Sequence, residues 1–153
     1  MQLEFVTEAA IVRLVDAFYG KVRGDPVLGP IFDEAVGAKG WPVHLAKMYA
    51  FWSSVMLTTG HYKGNPMAAH MAVQGIEEPM FERWLALFGE TVGELFAEGP
   101  AAVFRLKARR IAESLKLGLF FRPAEQHRDR LTILHRPAGA PRLDSAMEGD
   151  ECA

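Results

Sequence analysis

Cysteine is almost absent from this chain of 153 residues: the single thiol is Cys152, next to the C-terminus. That excludes an internal disulfide framework and any cysteine-based metal site. The Cys-x-x-Cys-His pattern of covalent haem attachment is missing too, so a haem could be held only non-covalently. No stretch is apolar enough to span a bilayer, and the opening residues MQLEFVTEAA are acidic where a secretory leader would be basic. With a formal net charge of -2 there is no cationic excess of the kind that phosphate binding demands, which argues against a nucleic-acid partner. Gly-rich nucleotide loops, nucleophile elbows and internal repeats are also lacking. The expectation is a cytoplasmic protein without nucleic-acid or membrane partners.

What is present is helical. Half of the residues are hydrophobic, enough for a real core in one domain of this length. The pairs Asp25-Pro26, Asn65-Pro66, Glu78-Pro79 and Gly99-Pro100 each read as a helix start, with proline where the backbone N–H would be unpaired anyway. Thr7 is a further candidate cap. Between these marks apolar residues recur at helical spacing. The pattern predicts long helices over about 7–23, 41–58, 79–96 and 100–121. A short turn of helix over 26–32 and a short helix over 66–72 lie between them. No strand-length alternation stands out. The fold class is therefore all-α. From Arg122 onward the composition turns to Pro, Gly, Arg and acidic residues, which predicts a domain over 1–121 and a weakly ordered tail over 122–153.

Five histidines are available: His44, His61, His70, His127 and His135. The last two fall in the tail, and His61 lies in a polar loop, HYKGN. His44 heads an inward stripe with Met48, Trp52 and Val55; on spacing alone it reads as a buried histidine bonded to a backbone carbonyl near a helix end. His70 sits among small and apolar neighbours in PMAAHMAV, where a metal or a carbonyl would satisfy its ring. Tyr19 and Trp84, each on an apolar helical face, read individually as core aromatics. Together, four hydrogen-bonding groups turned into one apolar interior point to a bound ligand, and an apolar pocket with one imidazole describes a haem site. A non-haem metal centre on facing helices is the weaker alternative, because the chain has neither Glu-x-x-His nor His-x-x-x-His. A haem-free helical interaction module is the third reading.

The ordered segments AFYGKVRGDPVLGPIF, WPVHLAKMYAFWSSVML, GNPMAAHMAV and MFERWLALF resemble the truncated haemoglobins from about residue 5 to residue 121. With no Gly-Gly pair, and with a histidine ahead of a Phe-Trp pair, the chain resembles group III of that family. The resemblance implies a two-over-two helical sandwich around haem b. It implies His70 as the proximal iron ligand, Tyr19 and Trp84 as distal donors, and His44 as a distal histidine that gates access. It also implies Phe32 packed on the haem face, and Met48 and Trp52 as pocket wall. Expected small ligands are O2, NO, CO or peroxide. The expected chemistry is slow oxygen release with NO dioxygenation or peroxide reduction through an external reductase; the alternative is a sensor that holds its ligand without turnover.

Overall fold

The computed structural model describes residues 2–121; the expected tail, with His127, His135 and Cys152, lies outside the described residues. Six helices follow one another: α1 (Glu8–Gly24), α2 (Leu28–Val36), α3 (Trp41–Leu57), α4 (Pro66–Met71), α5 (Glu78–Leu95) and α6 (Glu98–Phe120). Among the described residues none of these helices is long and apolar enough to cross a membrane.

The helix starts show which sequence signals were physical. Thr7 caps α1 by accepting from the Ala10 N–H at 3.0 Å, and Asn65 caps α4 by accepting from the Ala68 N–H at 3.1 Å. Two starts differ from expectation. Helix α5 is capped by Glu77 rather than Glu78, and α6 begins at Glu98, two residues before Pro100. Proline is tolerated throughout a first helical turn, because no N–H there has an intrahelical partner, so its position fixes a start only to within a turn. The third difference is larger. The short turn of helix expected over 26–32 is a nine-residue helix, α2, that begins two residues later and runs on to Val36.

Helix α1 packs against α3, α5 packs against α6, and α1 also crosses α5, which gives two helix pairs laid one over the other. The expected stripe of α1 (Ile11, Leu14, Val15, Phe18, Tyr19, Val22) is buried throughout. Outside the core, the Tyr49 hydroxyl of α3 donates to Asp16 of α1 at 2.5 Å, and that bond to a carboxylate pushes the phenol up to about 12. Leu3 and Phe96 form an isolated parallel bridge that fastens the N-terminal segment beside the end of α5.

Helix α3 ends under strain. Thr58 adopts φ 54° and ψ 35°, a left-handed conformation that a β-branched side chain rarely takes. Such residues cost on the order of 1–3 kcal/mol. Thr58→Gly is expected to raise stability by about 1 kcal/mol after the flexibility of glycine is counted. In a thermal melt this is a rise of about 2–4 °C; an unchanged or lower midpoint would show that the site carries no net strain.

Candidate functional site

An apolar cavity enclosing about 830 Å3 of empty space, counting the part open to solvent, lies between the two helix pairs. All six helices contribute to its wall. Phe32 and Ile31 come from α2, Met48, Phe51 and Trp52 from α3, and Phe81 and Trp84 from α5.

His70 is the one histidine on this wall. Its geometry follows from the short helix that carries it. Asn65 caps α4 and Pro66 opens it, so the Pro66 carbonyl sits one turn before His70 and its oxygen is 2.6 Å from Nδ1. A carbonyl can only accept, so Nδ1 carries the proton and the neutral ring keeps its lone pair on Nε2. Burial pulls the imidazole below its ordinary pKa, outweighing the carbonyl, which favours the protonated form. The result is a neutral, oriented imidazole, the form that ligates metals, with the outer hydrogen bond that metal-bound histidines usually have. The ring also stacks on Phe81, with centroids 6.5 Å apart.

Two indoles on the wall are held by one phenyl ring. Phe88 is stacked between Trp84 (5.4 Å, 3°) and Trp52 (4.8 Å, 15°), and Phe18 meets Phe88 edge-on at 5.2 Å. Tyr19 reaches the same cavity from α1, its ring edge-on to Phe32 at 5.8 Å.

Six of the seven residues singled out in the sequence thus meet at one cavity: Tyr19, Phe32, Met48, Trp52, His70 and Trp84. His44 stands apart. It is buried one layer behind the wall, edge-on to Tyr19 at 4.9 Å and to Trp41 at 5.4 Å. His61 is exposed, with Nδ1 3.5 Å from the buried Ser53 hydroxyl; Glu8 and Thr59 also bond that hydroxyl. Among the described residues no three histidine, cysteine, aspartate or glutamate side chains converge as a metal ion would require. A planar cofactor bringing its own equatorial ligands fits this donor set, because one axial nitrogen and an apolar, aromatic-lined slot are what the protein supplies.

Phe32 excepted, the contribution of α2 to the wall was missed at the sequence level. Leu28, Ile31, Phe32 and Ala35 all line the cavity, and their spacing of three, four and seven was the signal. Also missed was the latch that sets α2 against α5. Asp25, its side chain only 2% exposed, accepts from the Val27 and Leu28 N–H groups and from Arg83 Nε at 2.8 Å. The Arg83 guanidinium and the two backbone donors hold the Asp25 carboxyl below the usual carboxylate range, against desolvation. A carboxyl lowered on folding contributes stability that is complete above its unfolded value, about 3.9, and lost as pH falls through the lower folded value. Asp25→Asn is expected to be about 1–3 kcal/mol less stable at neutral pH and to lose less on acidification from pH 5 to pH 2. Urea midpoints across that range check this; parallel acid limbs in the two proteins would sink the assignment.

No family model matches the chain. The group 3 truncated hemoglobin ctb of Campylobacter jejuni is 34% identical over 122 residues, covering 78% of this chain and 96% of that relative. A crystal structure of group III truncated hemoglobin from Campylobacter jejuni aligns with a TM-score of 0.76 at 34% identity, over 79% of this chain and 97% of that one.

Proposed function

Because this chain belongs to the group III truncated haemoglobins, a family that binds haem and diatomic ligands, we propose that the cavity holds haem b, with His70 as the axial ligand, for redox chemistry on oxygen, nitric oxide or peroxide. The observation that carries the reading is the His70 ring, neutral and fixed through Nδ1 by the Pro66 carbonyl, on a wall otherwise apolar. The sequence has no Cys-x-x-Cys-His, which supports the non-covalent attachment proposed here.

When bound, haem would supply a redox-active iron that takes diatomic ligands, and His70 would hold it. The residues around it do the rest. Phe32, Met48 and Trp52 exclude water and give the slot its flat, low-dielectric walls. Tyr19 O–H and Trp84 Nε1–H are the donors for a ligand that gains negative charge, and such bonds strengthen in a dry site. The Trp84–Phe88–Trp52 stack fixes one donor. His44 and Trp41 back the ring of the other, so His44 acts here as a positioning residue for Tyr19.

Donors of this kind slow oxygen release, which suits turnover better than delivery. Conversion of NO and O2 to nitrate takes up one electron, and reduction of peroxide to two waters takes up two electrons and two protons. Both need an external reductase. Following NO consumption and peroxide loss by the haem-loaded protein, with dithionite-free enzymatic reductant, tests the reading. Sustained turnover above free haem supports it. Stable oxygen binding without turnover would leave a ligand-holding sensor instead.

A further inference from the structure

Helix α6 turns one face to the cavity, and no other described residue covers the opposite one. Ile111, Ala112 and Leu115 line the cavity. On the far side Val103, Leu106, Arg110, Ser114, Leu117 and Phe121 follow at steps of three or four and so form one stripe. Its apolar members are 44%, 39%, 57% and 55% exposed for Val103, Leu106, Leu117 and Phe121. The helix is also basic: Arg105, Lys107, Arg109, Arg110 and Lys116 stand against Glu98 and Glu113, whereas residues 2–97 carry eleven acidic and seven basic side chains. Lys116 is engaged with Glu82 and Glu113, and Arg105 donates to the Gly89 carbonyl. Arg109 and Arg110 are exposed and make no ion pair among the described residues. Bare guanidinium groups between exposed aliphatic and aromatic side chains have the composition of a docking surface rather than of a solvated face.

We propose that this face of α6 docks an electron-donor protein with an acidic surface. The inference rests on the haem reading and deepens it by placing the reductase. Two observations choose the occupant. The charge of α6 opposes that of the rest of the domain, so an acidic partner is drawn to this side. The other face of the same helix is cavity wall, so a donor seated here is separated from the cavity by one helix, about 10–12 Å thick. A single helix face also suits the small interfaces of transient redox encounters. The electron step is simple: the donor's reduced flavin or iron–sulfur centre would lose one electron, and the ferric haem that His70 would hold would take it up. No bond forms or breaks.

The test uses the full chain loaded with haem and a strongly acidic [2Fe–2S] ferredoxin as the probe. Stopped-flow reduction by the reduced ferredoxin is compared in wild type and in the double variant Arg109→Glu/Arg110→Glu, with dithionite as a donor that needs no docking. The variant is expected to be reduced by ferredoxin about tenfold or more slowly at low salt, with a flatter salt dependence. Its Soret band and its dithionite rate stay at the wild-type values. Gallium-substituted ferredoxin, which cannot transfer an electron, is expected to bind wild type and to lose binding in the variant. Equal ferredoxin rates and equal binding overturn the proposal. So does a wild-type dimer that the variant dissociates, since a second copy would then occupy the face. A normal Soret band with equal rates removes the docking face alone, whereas no Soret band at all removes the haem reading as well.

Discussion

His70→Ala is expected to lose haem more than about 100-fold faster than wild type, since removing even an outer partner of a metal ligand costs about 10–100-fold in metal affinity. The imidazole is the one nitrogen ligand that the cavity wall offers, and its Nε2 lone pair exists because Nδ1 is committed to the Pro66 carbonyl. Transfer of haem to apomyoglobin measures the loss. Adding free imidazole to the variant is expected to restore a histidine-type spectrum, because the slot itself is intact. Those two results separate ligation from folding: a misfolded variant would not respond to imidazole. Unchanged haem retention in His70→Ala would mean that another side chain holds the iron.

Oxygen release is expected to respond to the proposed donors Tyr19 and Trp84. Tyr19→Phe is expected to release oxygen about 10–100-fold faster while keeping haem, because a hydrogen bond to a charged acceptor contributes about 1.5–3 kcal/mol. The ring stays, and with it the contacts to Phe18, Phe32 and His44. Trp84→Phe removes the second donor while keeping a ring that can stack on Phe88. If the two donors bind one ligand, the double variant will fall short of the product of the single effects, as groups sharing a partner do. Flash photolysis and stopped-flow displacement give the rates. Wild-type release from Tyr19→Phe would remove the hydroxyl from the site.

The reading of function began from residues whose spacing reports burial, and this is why so much of the cavity was legible. Tyr19 falls on the stripe Leu14, Val15, Phe18, Val22, and Trp84 on the stripe Phe81, Leu85, Phe88, so helical periodicity alone turned both inward. His70 needed more than periodicity. Its helix is six residues long, too short to show a stripe, and the small neighbours and the Asn-Pro start were what marked it. Depth was not legible. His44 shares the face of Met48 and Trp52, yet it lies behind Tyr19 while they reach the cavity, and a helical stripe does not distinguish the first layer from the second.

Long-range polar pairing was invisible for a different reason. Arg83 and Asp25 are 58 residues apart, and nothing in either neighbourhood marks the other. The same latch bears on where α2 begins. Asp25 was expected to cap the helix directly, but it ends α1, and its carboxylate accepts from the Val27 and Leu28 N–H groups, so α2 starts beyond the Asp-Pro pair. The Leu3–Phe96 bridge joins two lone residues and leaves no alternation to read.

One titration bears on all of this at once. Adding hemin to the purified full-length chain is expected to give a Soret band that saturates at one haem per chain. After reduction, resonance Raman should show the iron–histidine stretch of a single neutral imidazole, and His70→Ala should abolish it. A chain that leaves hemin in its free form, or a stretch that survives the loss of His70, would contradict the claim that this cavity is a haem site built on that side chain.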